Sequence, residues 1–387
     1  MIVGNRPAML PSTIRRWFHV PGPGPYFMAH SAGAKPVAAG PAIEEQFMKP
    51  WRDLGGDAWN IWLPSIDGFR DTLATILGGA AEEICPQANV SAAFEHYLGA
   101  LPPLQGDRRD ILMSEQSFPS LGYVAKAAER MGFALKFLPA GSDPGDIEAW
   151  KAAITEQTAI VLAMHVHSNS GILTPVPQIA QAARMMGARC VVDLAQSAGI
   201  VPVAVRHWGV DAAVGSCVKW LSGGPGAGYL WVPERDFDVL QPRSVGWFSH
   251  EAPFEMDIHN FRYAPDALRF WGGTPHLMSF IAAKAGIDTI LSIGVNVVRA
   301  HNQHLQACFR TELECKRPEW RWPDCPIGGT ICVDVGEDAG AIRALLERHQ
   351  VRADFRGTGL RLSFAAWNTI DEVMALAALL AGPLERV

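Results

Sequence analysis

Two residues of this chain have the types and flanks that could hold an aldehyde cofactor. Asp193 closes the apolar run Cys190–Val192, and Lys219 follows a second run, Asp211–Gly215, with Ser216 between. After the lysine comes Ser222-Gly223-Gly224-Pro225-Gly226, and Tyr229–Val232 reads as a further short buried strand. A lysine amine condenses with an aldehyde, and an aspartate keeps a pyridine nitrogen protonated, the pair that a pyridoxal phosphate site needs. In open parallel sheets ligands sit outside the carboxyl ends of the strands, so an acid and a lysine at two such ends can meet over one site. Taken singly, Asp193 reads as a satisfied strand-end acid and Lys219 as a solvated surface lysine. The glycine-rich flank and the paired strand ends tip the reading toward chemistry.

The runs D-L-A-Q-S-A-G-I-V-P-V from Asp193 and W-G-V-D-A-A-V-G-S-C-V-K-W-L-S-G-G-P-G-A from Trp208 then become specific. They resemble the cofactor segment of the kynureninase-like proteins, in the class V aminotransferase family of fold type I pyridoxal-phosphate enzymes. That family also holds cysteine desulfurases and isopenicillin N epimerase-like proteins, and the G-G-P-G-A run points to kynureninases rather than desulfurases. The resemblance implies that Lys219 is the Schiff-base lysine and the base at the substrate Cα. Asp193 is then the partner of the pyridine nitrogen. Gln196 sits where kynureninases carry histidine and desulfurases glutamine, a position that reaches the cofactor's phenolic oxygen. Ser216 joins the cofactor contacts.

The elements that must position these residues alternate as a parallel sheet requires. Residues 1–45, rich in Pro, Gly and Ala, read as an irregular arm. Kynureninase-like proteins carry Asn-Ser-x-Gly there, near the active site. This chain has His30-Ser31-Ala32-Gly33, which makes Ser31 a substrate-side candidate unless the arm merely packs on a partner subunit. The stretch Ile43–Leu101 has a helical pattern, interrupted where Ala81–Ile84 leads into Pro86–Ser91. A polar turn opening a helix offers N–H groups and a positive dipole end to an anion. The resemblance puts the first phosphate contacts here, hence Ala88 and Asn89, although Asn89 is equally a plain N-cap.

Asp110–Glu115 reads as a strand, and the resemblance stacks the Phe118 that follows it on the cofactor ring. The family's next aspartate is Leu121 in this chain. A helix (Gly122–Met131) and a strand (Ala134–Leu138) continue the βαβ alternation. Thr158–His165 is a near-continuous apolar run, hence a buried central strand. It ends in His165-Val166-His167-Ser168-Asn169-Ser170-Gly171, where the family form is His-Val-Asn-x-x-Thr-Gly, so His167 replaces an asparagine at a cofactor-contacting position. A helix, Pro177–Met186, leads to Asp193. Three strand ends (Glu115, His165 and Asp193) thus carry polar clusters.

Beyond Val232, Ser244–His250 resembles the family's Gly-Trp-x-x-His, which implies that Trp247 and His250 line a pocket for an aromatic substrate side chain. The alternative is one more buried tryptophan and a surface histidine. Arg269–Pro275 resembles R-F-x-x-G-T-P, in which Gly273 and Thr274 reach the neighbouring subunit's phosphate, so a homodimer with a shared site is expected. Long helices over 276–315 lead to a small domain with strands Thr330–Val335 and Gly359–Phe364 and helices Ala339–His349 and Asp371–Leu380. Arg361 matches the arginine that clamps a substrate α-carboxylate, a task for which only its rigid bidentate fork serves. The alternative is a structural salt bridge.

The expected fold is α/β, that of the fold type I pyridoxal-phosphate-dependent transferases. A large domain with a mainly parallel central sheet flanked by helices is followed by a small α+β C-terminal domain. The boundaries are an arm over 1–45, the large domain over 46–258, and a linking helix with the small domain over 259–387. At 387 residues, 49% hydrophobic and 19% charged, the composition is that of a globular enzyme. A net charge of −6 and a pI near 6.1 give no reason to expect nucleic acid or an anionic membrane as partner. No apolar run reaches the roughly 18–20 residues of a spanning helix. Seven unpatterned cysteines and an N-terminus without a signal-peptide core point to the cytoplasm. No metal is expected, because Cys-x-x-Cys and His-x-x-x-His are absent.

The activity implied is kynureninase-type hydrolytic Cβ–Cγ cleavage of kynurenine or a related 2-amino-4-oxo acid, giving alanine and an aromatic acid. The chain departs from the pattern at Leu121, His167, Gln196 and Val218, the last replacing a tyrosine that helps proton traffic. Valine donates no proton, and losing a positioned acid or base costs on the order of 100- to 10,000-fold. His167 and His250 are the candidate substitutes. The alternatives are another reaction at an amino acid (β-elimination or C–S lysis, decarboxylation, transamination or epimerisation), desulfuration through Cys217 or Cys332, or a non-catalytic binding role. Keeping Lys219, Asp193 and Arg361 together argues against the last.

Overall fold

Seven short, apolar strands form one sheet, and their carboxyl ends set where chemistry can occur. The computed structural model describes residues 9–384. Residues 1–8 of the expected arm, and 385–387, lie outside the described residues. The strands are β1 (Ile84–Gln87), β2 (Asp110–Met113), β3 (Ala134–Phe137), β4 (Thr158–Met164), β5 (Arg189–Asp193), β6 (Ala212–Ser216) and β7 (Gly228–Trp231). Their order across the sheet is β1-β7-β6-β5-β4-β2-β3. Only β7 runs against the rest, pairing antiparallel with both β6 and β1. The mainly parallel sheet expected from the sequence is therefore present.

Parallel strands covered by helices on both faces must be apolar on both faces, and β4 and β5 are buried along almost their whole length. Alternation divides their side chains between two cores. Cys190 and Val192 face one with Trp231 and Phe280, while Val191 faces the other with Phe94, Leu230 and Phe270. The register pairs Met164 with Asp193 and Asp193 with Val214, which brings three strand ends level.

The helices are α1 (Trp59–Leu77), α2 (Val90–Ala100), α3 (Pro119–Ala127), α4 (Ile147–Ala153), α5 (Val176–Met185), α6 (Leu277–Ile293) and α7 (Val295–Leu313). Helix α1 buries Trp62, Ile66, Phe69, Leu73 and Leu77, a stripe at helical spacing, and ends on Gly78 in the left-handed region. The helical pattern upstream of it is broken: Lys49–Leu54 stops at Gly55, and α6 and α7 part at Gly294. Among the described residues no single helix is long and apolar enough to cross a membrane.

The small domain has its own core around Phe309, Leu360, Leu362 and Phe364. Its antiparallel sheet, β8 (Thr330–Asp334), β9 (Asp354–Arg356) and β10 (Gly359–Ser363), has β10 in the middle, and helices α8 (Ala339–Arg348) and α9 (Ile370–Ala381) cover it. The sequence pattern did not signal β9, a half-exposed strand at the sheet edge. Its register sets Asp354 directly opposite Arg361.

The N-terminal arm joins the two domains. Phe27 N–H donates to Arg352 O at 2.9 Å, Ser363 N–H to Phe27 O at 2.9 Å, and Gly33 N–H to Val218 O at 2.8 Å. A Cβ on Gly33 would collide with the Lys219 carbonyl oxygen and with Ser222, so only glycine lets the arm approach the lysine turn this closely. Gly33→Ala is therefore expected to lower the unfolding free energy by about 1–3 kcal/mol, measured by denaturant titration. Stability unchanged from wild type would show that the arm can lift away at no cost.

Candidate active site

Asp193 ends β5 and is 7% exposed, its Oδ1 accepting the Ala195 N–H at 2.8 Å. Burial pushes its carboxyl up, and the Lys219 charge and the Ala195 N–H partly offset this. Lys219 lies in the turn after β6, its Nζ 5.4 Å from the centroid of the Phe118 ring at the start of α3. Its side chain as a whole is partly accessible, yet burial is the largest influence on the amine and pulls it down. Asp193 works against that shift, and Arg361 and Arg356 add to it. Both partners are thus drawn toward their neutral forms, as desolvation dictates.

Around this pair stand buried polar atoms without partners. Gln196 donates its Nε2–H to His30 O at 3.1 Å and leaves Oε1 free. His167 approaches Gln116 O with Nδ1 at 3.2 Å. A carbonyl oxygen only accepts, so Nδ1 carries the hydrogen, and the unpartnered Nε2 offers a lone pair. Ser117 Oγ and Ser222 Oγ are likewise unpaired. Ser216 is half-buried and makes only a long 3.5 Å contact with Val218 N. Orphaned buried groups cost free energy. A site combining a lysine amine, a carboxyl, an aromatic face and such unpaired polar atoms fits a flat, polar-edged aldehyde such as pyridoxal phosphate.

Arg361, 2% exposed on β10, forms the far wall. Its Nη1 lies 3.5 Å from Asp354 Oδ2 and its Nε has no partner. Asp354 also receives His30 Nε2, at 3.0 Å. Sequence reasoning carried only Ser31 forward from the His30–Gly33 motif. In the structure Ser31 is exposed, while His30 is 1% exposed and within electrostatic reach of both Lys219 and Arg361. The signal that could have found it was the histidine standing in place of the family's asparagine.

Other sequence candidates fall elsewhere. Asn89 is the N-cap of α2, its Oδ1 accepting the Ala92 N–H at 2.9 Å. Ala88 is exposed beside it. Trp247 packs between Trp59, Phe248 and Phe254, with ring centroids 5.6, 4.3 and 5.4 Å away, and borders an open groove of about 400 Å³. His250 accepts the Ala252 N–H on Nδ1 at 2.9 Å and meets Asn260 O with Nε2 at 2.9 Å. Both its nitrogens are occupied by its own loop, which corrects the expectation that it could serve as an acid. Gly273 and Thr274 are exposed ahead of α6. His165 turns away from the site onto Trp208, 4.7 Å between centroids. Among the described residues no group of three or more His, Cys, Asp or Glu could hold a metal ion.

Burial, aided by Arg299, pushes His165 down to about 3, so the folded state keeps it neutral. The unfolded chain takes up that proton below its ordinary value of 6.5, whereas the folded chain does not. Stability therefore falls as pH drops from about 6.5 toward 3 and is insensitive to this group above that window. Thermal unfolding followed against pH should show that loss, and His165→Phe should flatten it. An equally steep loss in the variant would assign the acid sensitivity to other groups.

The Aminotransferase class-V family profile matches residues 64–376. A kynureninase from Burkholderia mallei (strain SAVP1) is 29% identical over 313 residues, 78% of this chain and 74% of that protein. Among solved structures, an apo cysteine desulfurase from Thermococcus onnurineus NA1 has a TM-score of 0.83 at 23% identity, covering 97% of this chain and 98% of that one. The cystine C-S lyase C-DES, in complex with its product cysteine persulfide, has a TM-score of 0.83 at 22% identity, covering 92% and 98%. At those identities the structural likeness shows the fold alone.

Proposed function

The chain belongs to the class V aminotransferase family and is a pyridoxal-phosphate-dependent enzyme, and from that premise we propose hydrolytic Cβ–Cγ cleavage of kynurenine or a related 2-amino-4-oxo acid. The buried Asp193–Lys219 pair with Arg361 near it carries this reading. The likeness to kynureninase over 78% of the chain supports it.

Pyridoxal phosphate supplies an aldehyde for the lysine and substrate amines, and a protonated ring that takes up electrons when Cα loses its proton. Lys219 Nζ, whose pKa is lowered chiefly by burial, removes the Cα proton. Asp193 would hold a cationic ring nitrogen, whose charge favours the ionised carboxylate. Phe118 would offer the ring a flat face, with Gln196 and Ser216 beside it. The Arg361 fork takes the α-carboxylate. His167 Nε2, unprotonated and fixed by Gln116, takes a proton from the water added at the γ-carbonyl. The reading includes a homodimer reached through Gly273 and Thr274. Val245, Phe254, Met256, Ile258 and Phe261, all exposed on the preceding segment, form an apolar surface that a second copy would cover.

Val218 favours a second reading. Without the tyrosine hydroxyl, a diverged member could run β-elimination or C–S lysis, decarboxylation, transamination or epimerisation, none of which adds water to a γ-carbonyl. Desulfuration through a protein thiol has less support. Burial raises Cys217 and pushes Cys332 up to about 12, whereas a reactive cysteine needs its thiolate.

The test is an absorbance spectrum of the purified protein followed by incubation with L-kynurenine. The band of lysine-bound pyridoxal phosphate should be present in wild type and lost in Lys219→Ala, and alanine with anthranilate should form. A normal band that L-kynurenine neither perturbs nor turns over would sink the hydrolytic reading and leave the second.

A further inference from the structure

A directional hydrogen-bond chain stands behind Arg361 that the proposed reaction does not use. Thr330 Oγ1 lies 3.1 Å from Ser363 Oγ, which lies 2.5 Å from His30 Nδ1. His30 Nε2 is 3.0 Å from Asp354 Oδ1, and Asp354 Oδ2 is 3.5 Å from Arg361 Nη1. Burial works to raise Asp354, but the His30 bond and the Arg361 and Arg356 charges outweigh it, and the carboxyl stays below its usual range. An ionised carboxylate only accepts, so Nε2–H is the donor to it. Nδ1 therefore accepts from the Ser363 hydroxyl, and that oxygen in turn receives the His30 N–H at 3.2 Å. This order fixes one neutral tautomer of His30.

The Asp354–Arg361 contact is weak for such neighbours. They face each other in the β9–β10 register, yet they meet through one nitrogen at 3.5 Å. Charge-assisted pairs usually close to about 2.7–2.9 Å and often engage both arms of the fork. Arg361 Nε is buried with no partner. The other bond on Asp354 is that from His30, and Arg361 also meets Cys332, which stands opposite it in the register of β8 and β10.

We propose that His30 is a positioning residue for substrate recognition: by holding Asp354 through Oδ1 it keeps that carboxylate from closing onto Arg361, which leaves the guanidinium open to the α-carboxylate of an amino acid. Without His30 the carboxylate swings onto the fork and competes with the substrate. The ligand class is an α-amino acid with a free carboxylate, and an amine lacking that group is indifferent to the change. This rests on the reading of Arg361 as the carboxylate clamp.

The experiment is an absorbance titration of the holoenzyme with L-alanine and, separately, with ethylamine, which has no carboxylate. His30→Ala should weaken L-alanine by about 10-fold, the scale of one redirected charge-assisted hydrogen bond, and leave ethylamine unchanged. His30→Gln, which keeps a donor near the Nε2 position, should retain most of the affinity. Adding Asp354→Asn to His30→Ala should restore L-alanine binding, because a neutral amide does not compete for the guanidinium. Unchanged L-alanine affinity in His30→Ala, or a double variant as weak as the single one, overturns the proposal. If His30→Ala does not fold, Asp354→Asn alone decides: tighter L-alanine binding supports the competition, and weaker binding refutes it. An Arg361→Lys variant that binds L-alanine like wild type would remove the clamp reading itself, a failure distinct from that of His30.

Discussion

An acid and an amine, both largely withdrawn from water near the ends of neighbouring strands, are what the rest of this molecule has to support. Desolvating a carboxylate and an ammonium costs more than their mutual attraction reliably returns, so the Asp193–Lys219 pair is no source of stability. The strands beneath it, buried on both faces, carry that load. The two groups are poised where a cationic ring nitrogen and an aldehyde would relieve them, and their strain in the free protein is part of their readiness to bind.

The strand ends were legible because apolar runs that stop at a polar residue are how a parallel sheet writes its carboxyl edge, and Asp193, His165 and the Phe118 turn all lie on that edge. The edge strand Asp354–Arg356 was not legible: three half-exposed residues carry no usable period. The helical pattern after Ile43 falls into two runs, and the first ends at Gly55, where the helix Lys49–Leu54 stops. His250 shows how far spacing goes. Its type and distance from Trp247 matched a pocket motif, yet its nitrogens are taken by backbone groups of its own loop. His30 failed in the opposite sense, because what gives it meaning is Asp354 and Ser363, far along the chain.

The sequence likeness and the structural likeness draw attention to different chemistries on one scaffold. The relative matched by sequence is a kynureninase, and the neighbours matched by shape are a desulfurase and a C-S lyase. One fold can serve several reactions, because the outcome depends on the groups placed around the substrate. This chain has a valine beside Lys219, a His167 whose Nε2 is unpartnered, and a buried Cys217 whose thiol is pushed up.

The arm that crosses from one domain to the other has a consequence for how the protein is made. Its residues 26–33 find partners in Arg352 and Ser363, far along the chain, and the His30 N–H bond to Ser363 spans 333 positions. Contacts of such separation form late and slowly. The large sheet can assemble during translation, but the pocket around Arg361 cannot close until the small domain is complete and the waiting arm is captured. A nascent chain whose sheet has already folded thus still waits for the small domain before the pocket around Arg361 is complete.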